Sequence, residues 1–370
     1  VENRNVYELA YLRYDCEHHF GLLANIDKRQ GGSLVDDSGP ARRIVFAHVP
    51  KTGGTNWRRF LQLIAPHVSF PYHDCHSAPP MGMSSSPLRS WFNATPPPGG
   101  HQERLIGCLK ASLRMKKVIL HGEFFEHCYD LLMLLALQGR FGMWTLLRNP
   151  ILGALSRLEY AAKRKDENIS RPLGSHFYHD CSGSIVRQSH CAWVQSHMTR
   201  NLGNHMVGEV HEYRMSAVLD RVLKLMQAGV LAVGITEHLI VTSCLFLHEA
   251  GLWDSSLRHN SLIRDCCQEH PASTCELFQS FASSRHSTST YYWQAYLRFA
   301  SLREVILAKQ EEDCELYRIG FRSFMQRVRS MERARSVKVL PLDMSSEWSC
   351  RAWLDSFVAS MEAGPEHNAH

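Results

Sequence analysis

Arg43-Ile44-Val45-Phe46-Ala47-His48-Val49 leads into Pro50-Lys51-Thr52-Gly53-Gly54-Thr55, and Asn56 to Ile64 follows. The first of these stretches is a short, nearly continuous apolar run rich in β-branched side chains. A strand buried on both faces of a parallel sheet has this pattern, whereas a half-exposed strand alternates with polar residues. Pro50 to Thr55 reads as a turn and the residues after it as a helix. Similar apolar runs recur at Val118-Ile119-Leu120-His121, Met143-Trp144-Thr145-Leu146-Leu147 and Val230-Leu231-Ala232-Val233-Gly234-Ile235. Helical spacing appears between and after them. Leu219, Val222, Leu223 and Met226 fall at i, i+3, i+4 and i+7, as do Ile240, Ser243, Cys244 and Leu247. Strands alternating with helices predict an α/β domain whose central parallel sheet is covered on both faces.

The turn after the first strand carries chemistry. Glycines let a backbone curl until several N–H groups converge on a phosphate, and the helix that follows adds the partial positive charge of its N-terminus. Lys51 supplies a mobile full charge, and Thr52 and Thr55 supply hydroxyl donors. Gly53, Gly54 and Asn56 complete the set of candidate phosphate contacts. The lysine precedes the glycines, so the spacing is not the G-x-x-x-x-G-K-[ST] of an ATP-binding loop. Taken by itself, a Gly-Gly turn can be a simple chain reversal.

A second strand–turn–helix follows at Leu146-Leu147-Arg148-Asn149-Pro150. Asn149 suits a helix N-cap and Pro150 the first helical position. Arg148 then sits at the carboxyl end of a strand, where open α/β sheets bind ligands. Ser156 lies about two turns along the helix, within reach of the same crevice. Between the two turns, Val118 to His121 runs into Gly122-Glu123. This puts an imidazole and a carboxylate at another strand end, two groups able to take a proton.

Pro50-Lys51-Thr52-Gly53-Gly54-Thr55 resembles the 5′-phosphosulfate loop of the Golgi carbohydrate sulfotransferases. That family includes the heparan sulfate 2-O- and 6-O-sulfotransferases and the uronyl 2-O-sulfotransferase. The family's second motif is an Arg, an Asp-Pro pair and a Ser eight positions after the Arg; Arg148 and Ser156 match it, with Asn149 in place of the Asp. The resemblance implies a P-loop NTPase-like three-layer fold with 3′-phosphoadenosine 5′-phosphosulfate (PAPS) as donor and 3′-phosphoadenosine 5′-phosphate (PAP) as product. It implies that Lys51 contacts the bridging oxygen of the leaving group, that Gly53, Gly54 and Thr55 hold the 5′-phosphate, and that Arg148 and Ser156 hold the 3′-phosphate. The family's His-x-His or His-x-Asp pattern stands here as His121-Gly122-Glu123. His121 is the first candidate for the base, and Glu123 the second, either as base or as the group orienting the imidazole. The segment Asp180-Cys181 to Cys191 resembles a disulfide-closed segment of the uronosyl enzymes, which implies a Cys181–Cys191 bridge. Cys266, Cys267 and Cys275 are candidates for another. Val233 to Glu237 resembles the last core strand and its turn, with Thr236 and Glu237 as capping residues.

Composition is compatible with this reading. The chain has 370 residues, 44% hydrophobic and 21% charged, as an ordinary globular protein has. Its net charge of +5 is a mild bias toward anionic partners, with no basic stripe interleaved with aromatics to suggest nucleic acid. Twelve cysteines, without paired C-x-x-C spacing, and sequons at Asn93 and Asn168 suggest an oxidising, secretory compartment such as the Golgi lumen. No apolar run reaches the roughly 20 residues that span a bilayer, so membrane attachment would need an anchor absent from this sequence. No metal is expected: His73, Cys75 and His76 lack a second ligand pair. Arg258, His259, Asn260, Ser261 and Arg264 read as solvated loop residues, and Lys163-Arg164-Lys165 as a solvated helix face. The expected organisation is an N-terminal helix (Tyr7 to Ile26) and linker over 1–40, a sulfotransferase domain over 41–330, and a C-terminal extension and tail over 331–370. An irregular loop is expected from Asp74 to Gly100. The acceptor is expected to be a carbohydrate hydroxyl. A small hydroxylated metabolite, or a non-catalytic glycan-binding role on the same scaffold, is the alternative.

Overall fold

Five parallel strands form one sheet in the order β2-β3-β1-β4-β5. They are β1 (Arg43–Ala47), β2 (Tyr72–Asp74), β3 (Val118–Gly122), β4 (Gly142–Leu147) and β5 (Leu231–Ile235). The computed structural model describes residues 43–49, 52–65, 72–75, 117–122, 142–165, 196–202, 215–269, 300–340 and 348–362. The readings made for residues 7–40, Lys51, Glu123, His76 to Gly100, the two sequons, Cys181 with Cys191, and Cys275 lie outside them. The four strands expected from apolar runs are present. All five described residues of β3 are buried, and in β1 only Arg43 is not. Double-sided burial is what produced an unbroken apolar signal in the sequence.

Helix α1 (Gly54–Ile64) follows β1, and α2 (Pro150–Lys165) follows β4. Further along come α3 (His197–Leu202), α4 (Met215–Gln227), α5 (Leu239–Glu249), α6 (Trp253–His259) and α7 (Ser261–Arg264). A π-helical turn spans Asp265–Glu269, followed by α8 (Ala300–Lys309), α9 (Glu311–Arg335) and α10 (Cys350–Glu362). Arg258, His259, Asn260, Ser261 and Arg264, expected as solvated loop residues, thus lie on or between two short helices held by Trp253, Leu257 and Ile263, all at most 5% exposed.

Helices cover both faces. Phe46 is in register with His121 and Trp144, so the three side chains share a face. Trp57 and Phe60 of α1 and Phe246 of α5 pack there, with Phe46–Trp57 centroids 5.4 Å apart and Trp144–Phe246 5.2 Å apart, edge to face. Each such ring buries on the order of 150–250 Å², which makes this cluster the heart of the core. Leu147 and Val233 point the other way, and α9 lies against them at Gly320. Further along α9, Arg327 wraps the β5 edge. It donates to Val233 O at 2.9 Å, pairs with Glu249 and lies 4.9 Å over the Trp144 ring.

Helix α9 runs unbroken through residue 330, and Met331, Val339 and Leu340 belong to the main core. Beyond it, α10 packs on α2 and α8 through Leu354, Val358, Ile151, Leu155 and Ile306. A Cys314–Cys350 disulfide staples α10 to α9, and Cys244–Cys267 ties α5 to the π-helical turn. Cys75 and Cys266 are disulfide-bonded too, and no described cysteine is free, as expected of an oxidising compartment. Cys267 therefore pairs with Cys244, not with the neighbours considered from the sequence. The bond on Cys75 also takes its thiolate out of metal chemistry. No helix among the described residues is long and apolar enough to cross a membrane. Replacing Cys314 and Cys350 together by Ser should release α10 locally. Amide exchange over Cys350–Glu362 should rise by at least about tenfold while the strands keep their protection; equal loosening of the strands would show that α10 is part of one cooperative unit.

Candidate functional site

Because every strand is parallel, all the β-to-α turns gather at one edge of the sheet. The connection leaving β1 goes toward β2, whereas the connection leaving β4 goes toward β5 on the opposite side. The chain therefore opens a crevice between the ends of β1 and β4, the place where open α/β sheets take ligands. The two anion-binding turns read from the sequence follow these two strands. Thr145 Oγ1 donates to Ala47 O at 2.8 Å just beneath them, fixing the separation of the strand ends.

Gly53 and Gly54 shape the first turn. Gly53 has φ +87°, a left-handed conformation that glycine adopts without steric cost. A Cβ on it would lie 2.8 Å from Thr236 Cγ2. At Gly54 a Cβ would lie 2.0 Å from two atoms of the His48 ring, so only a glycine lets that imidazole rest on the start of α1. No side chain caps this helix N-terminus, and no acidic residue occupies its first turn. Its leading N–H groups and positive dipole end thus suit an anion. Thr55 is exposed and Asn56 half-buried at the same end. Thr52 turns inward: 2% exposed, it donates its hydroxyl proton to Val49 O at 2.8 Å. The hydroxyl facing solvent at this turn belongs to Thr55.

The second turn is built differently. Asn149 is buried and caps α2, its Oδ1 accepting from Ile151 N at 3.0 Å and Leu152 N at 3.2 Å. The N-cap and first-position roles assigned to Asn149 and Pro150 are both present. Arg148 is half-buried at the lip, its backbone N–H resting on Met198 Sδ of α3 at 3.4 Å. Ile151, Ala154 and Leu155 face the C-terminal helices, so Ser156 lies on the opposite, open side of α2 with Gly153. A Cβ on Gly153 would meet nothing within 4 Å.

His121 is the penultimate residue of β3, beside Phe46 of β1, and is 2% exposed. Its ring stacks on Phe46, with centroids 5.4 Å apart and planes 5° apart, and lies 5.3 Å from the His48 ring. No role is expected of His48 from the sequence, but its spacing of two from Phe46 puts both side chains on one face of the strand.

Two more residues complete the crevice. Thr236 Oγ1 donates to Thr52 O, and Glu237 Oε1 accepts from Asn149 N at 2.8 Å. Glu237 Oε2 accepts from the Tyr317 hydroxyl of α9 at 2.9 Å. Glu237 is exposed at the crevice mouth, yet protein crowds its carboxyl closely enough that desolvation pushes its pKa up. The Asn149 N–H, the Arg148 charge and the Tyr317 hydroxyl oppose that rise. Burial and the neighbouring carboxylate push the Tyr317 phenol well up. The sequence offers Thr236 and Glu237 only as caps, whereas both lie within a short 3₁₀ turn, Thr236–His238, that no side chain caps. No metal-binding cluster of His, Cys, Asp and Glu occurs among the described residues. No protein-family model, no curated protein and no solved structure matches this chain.

Proposed function

We propose that the protein is an O-sulfotransferase that uses PAPS and acts on a carbohydrate hydroxyl, on a P-loop NTPase-like, three-layer version of this α/β architecture. The observation that carries the reading is the juxtaposition of the two anion-type turns at the ends of adjacent strands β1 and β4. The fit rests on two features of the first turn: an uncapped helix start free of acidic residues, and glycines that no side chain could replace without collision.

In this reading Lys51 and the N–H groups of Gly53, Gly54 and Thr55 hold the 5′ end of the nucleotide, with Asn56 beside them. Arg148 and Ser156 hold the 3′-phosphate. PAPS supplies a sulfuryl group already joined to a good leaving group. A bond forms from the acceptor oxygen to sulfur as the bond from sulfur to the bridging phosphate oxygen breaks, in line. His121 (or Glu123) takes the proton of the acceptor hydroxyl, and Lys51 balances the charge that gathers on the departing oxygen. Disulfide-bonded cysteines accord with a Golgi-lumen setting.

Calorimetry with PAP and with ATP–Mg²⁺, together with labelled PAPS and a panel of polysaccharides and small alcohols, tests the proposal. Heat on adding PAP and label on a polysaccharide are expected. Label on small alcohols alone moves the substrate class, and PAP binding without any transfer favours a glycan-binding role. Preference for ATP–Mg²⁺ would sink the reading. Replacing His121 or Glu123 singly by Ala should identify the base, with turnover falling about 100-fold at that position and PAP binding retained. Unchanged turnover in both variants removes the base assignment.

A further inference from the structure

We infer that the Thr236–Glu237 turn is a positioning device that holds the two anion-binding turns at a fixed separation, so that one ligand can grip both at once. The inference rests on the reading of the crevice given above and deepens it. Thr236 reaches the first turn in two ways: its hydroxyl donates to Thr52 O, and its methyl packs where a Cβ of Gly53 would lie. The next residue reaches the second turn, where Glu237 accepts the Asn149 N–H at 2.8 Å. Two successive residues thus join turns that are almost a hundred positions apart in the chain.

The brace is itself anchored. Thr242 Oγ1 bonds both the N–H and the carbonyl of Ile235 at 3.0 Å, fixing the end of β5. Tyr317, 2% exposed and packed on Trp348, donates to the other carboxylate oxygen. A carboxylate suits the position because its two oxygens accept from the backbone N–H and the phenol together. An amide keeps one such acceptor. Placing a carboxylate between two anion sites works against phosphate binding by like-charge repulsion, with Arg148 beside it as the offsetting cation. Retaining it there is understandable if it contributes rigidity rather than ligand attraction.

Linking two weak contacts in one rigid frame raises the affinity of a ligand that spans them and leaves single-ended ligands unaffected. The ratio of affinities is therefore the readout. Dissociation constants for PAP, adenosine 5′-monophosphate and adenosine 3′-monophosphate would be measured by calorimetry on the intact chain and on Thr236→Val, Thr236→Ser and Glu237→Gln. PAP affinity should fall about tenfold in Thr236→Val and Glu237→Gln, while each monophosphate changes less than about threefold. Thr236→Ser, which keeps the hydroxyl, should retain most of the PAP affinity. Tyr317→Phe removes one hydrogen bond to the brace from outside the crevice. It should move the ratio in the same direction, about threefold, and it stands in if a turn variant fails to fold.

Equal losses for PAP and both monophosphates would reduce the turn to general scaffolding and overturn the inference. An unchanged ratio in every variant would do the same. Either result leaves the crevice reading intact, because the wild-type chain still binds PAP. If the wild-type chain binds no PAP, the crevice reading fails and the brace falls with it.

Discussion

Gly54→Ala is expected to remove measurable PAP binding and to cost about 3 kcal/mol of stability, the upper end of the usual overpacking range. The added Cβ would sit 2.0 Å from His48 Cδ2 and Nε2 and 2.6 Å from Cε1, so a whole ring edge stands in its way. His48 is half-buried, and one side of its ring is blocked by the His121 ring, which stacks on Phe46, which in turn packs on the fully buried Trp57. Relief comes from swinging the His48 ring away, from this stack or from the start of α1. Moving the stack disturbs the core; moving the helix start displaces the N–H groups that would meet the 5′-phosphate. Gly153→Ala is the internal control, the same change near the start of α2 but into open space. It should be neutral or stabilise by up to about 1 kcal/mol, as removing a helix glycine does. Urea melts and PAP calorimetry on both variants check the pair. A Gly54→Ala protein as stable and as PAP-competent as Gly153→Ala would refute the account of the turn.

The residues behind this contrast differ in how visible they were in the sequence. β1, β3, β4 and β5 announced themselves because burial on both faces strips a strand of polar residues. Tyr72-His73-Asp74 gave no such signal: β2 is a three-residue edge strand paired only with β3, and such strands are short and polar as a rule. Asp74, expected at the start of the loop running to Gly100, is the last residue of this strand. Helix α9 has no counterpart among the expected elements, although Tyr317, Phe321, Phe324, Val328 and Met331 recur at helical spacing, and nothing local tells that it passes residue 330. Each anion turn was readable because strand, turn and helix are contiguous. The brace was not. Thr236 and Thr52 are 184 positions apart, Glu237 and Asn149 88, and Tyr317 and Glu237 80. Hydrogen bonds of that reach are set by the strand order, which no local pattern encodes. The inward turn of the Thr52 hydroxyl is a local matter, a bond to Val49 only three positions back, yet it depends on where that carbonyl points once β1 has ended.

Asp313→Ala should lose about 3 kcal/mol, because it leaves two buried N–H groups without their acceptor, each at a cost of roughly 1–3 kcal/mol. Asp313 is 1% exposed in the first turn of α9, and its carboxylate accepts from Thr199 N at 2.7 Å and Met198 N at 2.9 Å. These are early N–H groups of α3, so one helix caps another across 114 and 115 positions of chain. Arg200, 3% exposed, is the nearby cation. Met198, held by this cap, in turn carries the Arg148 N–H. Loss of the cap should therefore weaken the turn at Arg148, where the proposed 3′-phosphate would sit, along with the fold. Burial pushes the Asp313 carboxyl up and the Arg200 guanidinium down, and in each the attraction of the other charge is the smaller effect. With its folded pKa above the unfolded value of about 3.9, Asp313 holds its proton longer in the native state. Its contribution is complete below the unfolded pKa and declines as pH rises through the folded one. The stability gap between the wild type and Asp313→Asn, taken from urea melts, should therefore be wider near pH 4 than near pH 7. A gap that widens with pH would mean that the hydrogen bonds from Thr199 and Met198, together with the attraction of Arg200, outweigh burial at this cap.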